Sequence, residues 1–231
     1  GAQKAYLYHG GIEDWKAAGK PLSTEPSKMQ AVELKLQPRA GVLVSTQEVV
    51  QKLGRPGVQI VDARTPKEYS GDDIRAIRGG HIPGAVNIPY EQNWQDPDAL
   101  KKLAARETAS AAGLALKSKN ELKALYSKLD PEKETVVYCQ SGVRASETAT
   151  VLKELGFRDV KVYDSSWLGY AAQLDAPADS AKFFNLGLLN SRIAGMQRRI
   201  DTLEKQLAET QAQLQQTGQM QAQRPGACVN C

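Results

Sequence analysis

The alternation of apolar and polar positions between residues 43 and 177 predicts strands and helices in turn. Short apolar runs, each typical of a buried strand, lie at VQIVDA (58–63), ETVVYC (134–139) and DVKVY (159–163). A further run, HIPGAVNIPY (81–90), has a proline near each end and predicts a strand held between rigid turns. Continuous apolar runs of this length favour a parallel sheet that is buried on both faces.

Helix signals lie between these runs. Two pairs have the spacing of capping boxes, Ser45 with Glu48 and Ser118 with Glu121. DPDALKKLA predicts another helix from Asp96, and SETATVLKEL predicts one that starts near Ser146 and has Gly156 just beyond its end. The repeated order of strand and helix predicts an α/β domain over residues 43–177, with helices on both faces of the sheet.

A different pattern follows from about residue 180, where apolar residues recur in steps of three and four. These positions are Leu186, Leu189, Ile193, Met196, Ile200, Leu203, Leu207 and Leu214, with Thr210 in the one gap. The spacing predicts a long coiled-coil helix over 182–218. Ile193 and Ile200 at a with Leu203 at d favour two parallel strands, and Arg199 at g could meet Glu204 of a partner. We therefore expect a homo-oligomer formed through 184–217, the alternative being an amphipathic helix folded back on its own domain.

The remaining segments are short. Residues 1–25 hold a β-like run, a Gly-Gly turn and one or two helical turns, which is too little for a core. Residues 26–42 are interpreted as a linker. Residues 219–231 follow the helix breaker Gly218 and are predicted to form a flexible tail that ends in CVNC.

Composition limits the partners. The 231 residues carry a net charge of +4, with 24% charged residues, which gives no reason to expect nucleic acid. The sequence has no run of eighteen apolar residues, so we expect no membrane span and a soluble chain whose compartment is undetermined. A small anionic substrate suits the composition better. No cofactor is predicted.

Three cysteines, Cys139, Cys228 and Cys231, are too few for a disulfide framework. CVNC has the spacing of a redox pair or of half a zinc site, although two cysteines alone are a weak signal. An incidental tail, a sulfur-accepting or redox pair and a metal site shared between two chains stay open. No metal ligand is assigned.

Cys139 stands at the junction between a predicted strand and a predicted helix. The loop after it, QSGVRA, can turn its amide groups inward at Gly142, and amides at a helix start stabilise negative charge. Arg144 adds a cation, so the thiolate is favoured and Cys139 is predicted to be a nucleophile. The alternative is a small buried apolar residue at a strand end.

Four motifs in order carry a resemblance to a known family. CQSGVRAS, with VDARTPKEY and GGHIPGAVNIPY before it and VYDSSWLGY after it, resembles the rhodanese domain of thiosulfate and mercaptopyruvate sulfurtransferases. The resemblance covers roughly residues 43–177. It implies a five-stranded parallel sheet with helices on both faces, and a cycle in which Cys139 takes sulfane sulfur as a persulfide and passes it to a thiol or to cyanide.

The same resemblance assigns roles around Cys139. It implies that Asp62 and Arg64 support the loop from beneath and that His81 is structural. The residues expected to bind the outer sulfur or the anionic donor are Gln140, Ser141, Gly142, Val143, Arg144, Arg64 and Arg78. Arg75 is a further candidate for the donor's anion.

Donor identity is less well determined. Gln140 and Ser141 are neutral where two-domain thiosulfate enzymes usually have basic residues, and mercaptopyruvate enzymes have small ones. Arg144 replaces a small hydroxyl residue common to both groups, and Glu68 replaces a residue that tends to be basic. We expect thiosulfate or a related sulfane donor, with mercaptopyruvate as the alternative.

The sequence leaves two alternative functions open. The domain could carry sulfur for a bound partner, within an assembly organised by the coiled coil. A phosphatase is disfavoured because four residues separate Cys139 from Arg144, whereas cysteine phosphatases use five, which form a wider ring for phosphate.

The first twenty-five residues are similar to the closing strand and helix of a rhodanese domain. The chain thus resembles a tandem protein without most of its leading domain, the alternative being an extension that only packs on the surface. This interpretation predicts that Tyr6, Leu7 and Trp15 pack on another chain or on the complete domain.

Overall fold

The computed structural model describes residues 8, 11–26, 28, 33 and 40–222. The chain forms two compact units, the first ending at Phe183 and the second beginning at Phe184. Most of the predicted β-like run at residues 5–8, most of the predicted linker and residues 223–231 of the predicted tail lie outside the described residues. Residues 219–222 of that tail are helical, so the predicted helix end at residue 218 is wrong.

Seven strands and eight α-helices make up the described parts. The strands are β1 (Leu43–Val44), β2 (Val58–Asp62), β3 (Arg78–His81), β4 (Val86–Asn87), β5 (Glu134–Tyr138), β6 (Asp159–Tyr163) and β7 (Asp179–Phe183). The helices are α1 (Gly11–Ala17), α2 (Thr46–Lys52), α3 (Pro66–Tyr69), α4 (Ala99–Ala104), α5 (Lys119–Leu125), α6 (Val143–Glu154), α7 (Ser166–Ala172) and α8 (Leu186–Ala222). Two 3₁₀ helices lie at Tyr90–Asn93 and Ala112–Leu114.

The main sheet has five strands in the order β1-β6-β5-β2-β4, and every pairing is parallel. This arrangement confirms the predicted five-stranded parallel sheet. Val61, Val137 and Val162 lie in one row across β2, β5 and β6, and all three belong to one buried cluster. Ile60 and Val136, one residue earlier, belong to a second cluster, because successive side chains of a strand point to opposite faces.

Helices cover both faces, as the apolar runs predict. On the first face α5 contributes Leu122, and α6 contributes Ala149 and Leu152. On the second face α2 contributes Val49, and α7 contributes Trp167. Both predicted capping boxes are present, at the starts of α2 and α5.

The segment 81–90 differs from its prediction as one strand. A turn in which the Ala85 amide donates to the Ile82 carbonyl (3.0 Å) separates β3 from β4. Only β4 joins the main sheet, whereas β3 pairs with β7 in a two-stranded antiparallel sheet. At Gly71 (φ +75°), a Cβ would lie 2.7 Å from the Ser180 carbonyl oxygen, so β7 packs closely on bare backbone.

Two helix starts also differ from the sequence expectation. α6 begins at Val143 rather than near Ser146, so it follows Gly142 directly. α4 begins at Ala99 rather than at Asp96, whose carbonyl accepts from the Ala99 amide at 3.0 Å. Because α6 begins at Val143, the loop after Cys139 is shorter than predicted.

The second unit is built on α8, whose 37 residues include the predicted heptad positions. Across the described residues, none of the helices combines the length and apolar character that a membrane span requires.

A buried ion pair lies where β2 ends. Arg64 Nη2 donates to Asp62 Oδ2 (2.6 Å) and to the Gly80 carbonyl (2.7 Å), and the Tyr138 hydroxyl donates to the same Asp62 oxygen (2.6 Å). The Arg64 guanidinium also lies 4.7 Å from the centre of the Trp167 ring. The Asp62 and Arg64 side chains are 0% and 1% exposed, so this pair joins β2, β3, β5 and α7 away from the protein surface.

We expect Asp62→Asn to lower the free energy of unfolding by about 3–5 kcal/mol, because it leaves the buried Arg64 cation without a counter-charge. Urea unfolding at pH 7 measures this change. The control is Asp98→Asn, which breaks a similar contact to Lys101 (2.6 Å) between exposed side chains and should cause a much smaller loss. Equal losses in both variants would contradict the argument.

Candidate active site

Cys139 lies immediately after β5, at the carboxyl end of a central strand. Ligands of open α/β sheets bind outside these strand ends. Only Gln140, Ser141 and Gly142 separate Cys139 from the first residue of α6. The cysteine residue is 1% exposed, so it lies at the base of a tight loop rather than on an open surface.

Gly142 makes this loop possible. Its φ of +88° lies in the left-handed region, which side chains other than glycine rarely adopt. A Cβ at this position would lie 2.7 Å from Asp164 Oδ1 and 2.9 Å from the Asp164 carbonyl oxygen. The turn therefore depends on glycine both for its backbone angle and for its close approach to the segment after β6.

The Ser166 hydroxyl fixes both ends of the loop. Its oxygen accepts from the amides of Cys139 and Gly142, each at 3.0 Å, and it donates to the Tyr163 carbonyl at 2.8 Å. The same oxygen lies 4.0 Å from Cys139 Sγ. Sequence reasoning did not single out Ser166; its only signal was its place within the motif VYDSSWLGY.

Several backbone amides between and after Cys139 and Gly142 donate no hydrogen bond within the described residues. Within the described part of the chain, the N–H groups of Gln140, Ser141, Val143 and Arg144 have no hydrogen-bond acceptor. Two of them open α6, where unpaired N–H groups carry the positive end of the helix dipole. A set of free N–H donors thus lies in the loop that follows Cys139 and in the first turn of α6.

Arg144 and Glu68, which the resemblance marks as two departures, contact each other. Arg144 Nη1 and Nη2 donate to the two carboxylate oxygens of Glu68 at 2.8 and 2.7 Å. Glu68 also accepts from the amide and hydroxyl of Thr65 (3.1 and 2.9 Å), which forms a capping box at the start of α3. The Glu68 and Arg144 side chains therefore act as one unit that joins α3 to α6.

Their environment keeps both groups of this pair charged. Burial opposes ionisation of Glu68, but the hydrogen bonds and charge of Arg144, with those from Thr65, outweigh it and lower its pKa to about 2. Burial likewise lowers the pKa of Arg144, yet contacts with Glu68 raise it above its ordinary value, and the charge of Cys139 adds to this effect.

Two arginines predicted to bind the donor are enclosed by protein. Arg64 is 1% exposed and paired with Asp62. Arg78 is 4% exposed and donates to the carbonyls of Gln173 and Ala176 at 2.8 and 2.9 Å. These contacts suit positioning roles better than direct contact with a donor.

His81 is also held by protein groups. Its Nδ1 lies 2.8 Å from the Tyr69 carbonyl oxygen, and its ring stacks on that of Tyr69 with centroids 3.5 Å apart.

Arg75 lies beside the loop and is exposed. Its carbonyl accepts from Gln140 Nε2 at 2.8 Å, and its guanidinium pairs with Asp73 at 2.6 Å. The Arg75 side chain is 53% exposed, so it is available to an anion that approaches the loop.

A cavity of about 980 Å³ lies next to the loop on the α6 side. Apolar and aromatic side chains line much of it, among them Tyr90, Trp94, Leu116, Val143 and Val151. Tyr90 also lies 5.7 Å from the Arg144 guanidinium, ring centre to carbon. Tyr8 lines this cavity and packs edge-on against Trp15 at 5.9 Å, while Tyr6 and Leu7 lie outside the described residues.

Comparison with protein families matches residues 45–173 to the rhodanese-like domain. Among curated proteins, the chain is 35% identical over 191 residues to a Mycolicibacterium smegmatis protein provisionally named thiosulfate sulfurtransferase. It is 31% identical over 179 residues to the thiosulfate sulfurtransferase of Azotobacter vinelandii. Each match covers 78% of this chain, and the chain spans 62% and 61% of the two relatives.

Solved structures share the fold. A cysteine-persulfide state of EanB with ergothioneine matches with a TM-score of 0.61, covering 74% of this chain and 40% of that one, at 22% identity. The anaerobic ergothioneine biosynthesis enzyme of Chlorobium limicola matches with a TM-score of 0.59 at the same identity and coverage. At this identity the likeness shows the fold alone.

We expect Glu68→Gln to destabilise the protein in a pH-dependent way. The pKa of Glu68 falls from an ordinary 4.5 to about 2 on folding, so its ionised form stabilises the folded state above about pH 4.5. At pH 7 the variant should lose about 3 kcal/mol of unfolding free energy, at ~1.4 kcal/mol per pKa unit. The difference from wild type should narrow as the pH falls below 4.5 towards 2, because protonation removes the same charge from the wild type.

Urea unfolding at steps from pH 7 to pH 3 measures this difference. Glu121→Gln is the matched control, since Glu121 forms the same capping box with Ser118 but is itself exposed and has no arginine partner among the described contacts. Its effect should be much smaller at every pH. A Glu68→Gln difference that stays constant with pH would refute the assigned role of the ion pair.

Proposed function

The chain belongs to the rhodanese-like family, and on this premise we propose that it transfers sulfane sulfur from thiosulfate to a thiol or cyanide acceptor through a persulfide at Cys139. The names of its relatives support sulfur transfer as the chemistry. The observation that carries the proposal is the short connection from β5 to α6. In it, Cys139 is followed by free backbone amides and by Arg144 in the first turn of α6.

The proposed reaction has two steps. The Cys139 thiolate attacks the outer sulfur of thiosulfate, a new S–S bond forms, the S–S bond within the donor breaks, and sulfite leaves with the electron pair. Cyanide or a thiolate acceptor then attacks the outer sulfur of the persulfide. The acceptor leaves as thiocyanate or as a new persulfide, and the Cys139 thiolate is regenerated.

The residues around Cys139 suit both steps. Ser166 holds the ends of the loop, which leaves the amides of Gln140, Ser141, Val143 and Arg144 free for the sulfur anion. Preorganised donors of this kind stabilise charge without reorganising during the reaction. The loop is also too short for the wider ring that a phosphate requires, which disfavours the phosphatase alternative.

The donor's charged end needs a second contact. Arg144 already binds Glu68 through both Nη atoms, and Arg64 and Arg78 are enclosed. Arg75 pairs with Asp73, but its side chain is 53% exposed, against 18% for Arg144, so we assign Arg75 to the sulfonate of thiosulfate. The neutral Gln140 and Ser141 keep mercaptopyruvate as the alternative donor, which a comparison of the two donors at matched concentration separates.

Incubation with thiosulfate should add about 32 Da to Cys139, the mass of one retained sulfur atom. Mass spectrometry of the intact protein and of its peptides measures the adduct, and cyanide should remove it. A Cys228→Ser, Cys231→Ser double variant should still gain this mass, whereas Cys139→Ser should not. Absence of an adduct on Cys139, together with undiminished cyanide turnover in Cys139→Ser, would exclude the mechanism.

Arg75→Ala should raise the KM for thiosulfate by about three- to tenfold with little change in kcat, because the exposed cation binds the donor and not the reacting sulfur. Steady-state thiocyanate formation measures both constants. Arg55→Ala is the control, since Arg55 is exposed and precedes the amino-terminal end of β2, whereas Cys139 follows the carboxyl end of the parallel strand β5. An unchanged KM, or a loss confined to kcat, would remove Arg75 from donor binding.

A further inference from the structure

The helix α8 carries an apolar stripe that nothing described in its own unit covers. The unit begins at Phe184, and its described residues contain no second helix or strand. The stripe consists of Leu186, Leu189, Ile193, Met196, Ile200, Leu203, Leu207 and Leu214. Their exposed fractions run from 38% at Leu189 to 67% at Leu214, so the side chains face solvent along the helix.

The spacing of the stripe specifies the kind of partner. Steps of three and four average 3.5 residues, slightly less than one full helical turn of 3.6 residues, so the stripe stays on one face only if two helices wrap around each other. From residue 186 to residue 214 the helix runs about 42 Å at ~1.5 Å per residue. A second helix with the same repeat over the same length would cover it.

A second copy of this chain meets that requirement, because it carries the same stripe in the same register. We propose that α8 pairs with α8 of a second copy as a parallel, two-stranded coiled coil over residues 186–214. β-branched Ile193 and Ile200 at a, with Leu189 and Leu203 at d, are the residues that favour this geometry over trimers and tetramers.

Charge complementarity supports the parallel orientation. In a parallel pair, a g residue faces the e residue five positions later in the other chain. Arg199 occupies g and Glu204 occupies e, so each copy's arginine faces the glutamate of the other copy, and the contact forms twice by symmetry. Gln206 and Gln211 form the next such pair and are uncharged, so none of the described e/g pairs places like charges together.

The outer face of α8 argues against a lipid surface. Its charges have both signs, since Arg198 and Lys205 lie among Asp201 and Glu209. Interfacial helices that bind anionic membranes concentrate lysine and arginine on the polar face instead. A mixed outer face is typical of a helix whose apolar stripe is covered by protein and whose remaining surface stays in water.

This pairing has a consequence for the proposed sulfurtransferase. Only Phe184 and Asn185 separate β7 from α8. Each copy contributes its own first unit to such a dimer. The dimer would therefore carry two copies of the Cys139 loop.

Analytical ultracentrifugation of the full chain tests the pairing. Wild type should sediment as a species of about twice its 25.1 kDa. Ile200→Lys places a charge in the apolar seam and should weaken dimerisation by about 100-fold or more. Ala208→Lys adds the same charge at an outer b position and should stay dimeric, and both variants should retain sulfurtransferase activity as evidence that the first unit is folded.

A monomeric wild type at high micromolar concentration would overturn the proposal, and so would equal behaviour of the two lysine variants. Wild-type monomers that co-sediment with phosphatidylserine vesicles, when Ile200→Lys does not, would assign the stripe to a lipid surface instead.

Cross-linking tests the orientation. In a Cys228→Ser, Cys231→Ser background, Met196→Cys places a thiol at a d position, where the two copies of a parallel pair face each other. Oxidised glutathione should convert two such thiols to one disulfide and release two reduced glutathione molecules. Ala194→Cys, at an outer position, should not cross-link. A stable dimer in which Met196→Cys also fails to cross-link would refute the parallel arrangement.

Discussion

The candidate active site depends on one small hydroxyl group. Ser166 binds the amides at both ends of the loop, those of Cys139 and Gly142, and is itself fixed by the Tyr163 carbonyl. Because these two amides are occupied, the loop keeps its shape while the amides between and after them remain free. A loop whose amides bonded to each other would be more stable, but it would have no donors left for a charged sulfur.

Two ion pairs hold this loop in place, and they differ in kind. The Asp62–Arg64 pair lies at the carboxyl end of β2, where protein encloses it fully, and it forms hydrogen bonds with Gly80 and Tyr138. The Glu68–Arg144 pair lies beside the loop, and its arginine is 18% exposed. The first fixes where the strands end, whereas the second fixes the first turn of α6 against α3. Removing one member of either pair leaves the other charge desolvated and without its counter-charge, so each pair holds together the elements that it joins.

The sequence predicted the strands and helix starts that depend on local patterns. The strands β2, β5 and β6 are apolar runs, and the capping boxes at Ser45 and Ser118 need only residues three positions apart. The strand β7 has no such signal, because DSAKF is exposed and pairs with β3 about a hundred positions away. The Glu68–Arg144 contact likewise joins residues 76 positions apart, so each appeared as a separate departure. The spacing of Thr65 and Glu68, with Pro66 between them, was a local signal for α3 that could have placed Glu68 at a helix start.

The partnership of Arg144 changes the electrostatic argument for Cys139. An unpaired arginine after the loop would serve both the thiolate and the donor's anion. In this chain both Nη atoms of Arg144 are committed to Glu68, so the pair as a whole is close to neutral. In the proposed reaction the stabilisation of a sulfur anion would then come mainly from the free amides, which are dipoles fixed in place by the fold. In the proposed reaction the donor's charged end would need another cation, and the exposed Arg75, joined to the loop through Gln140, is the arginine to which we assign it.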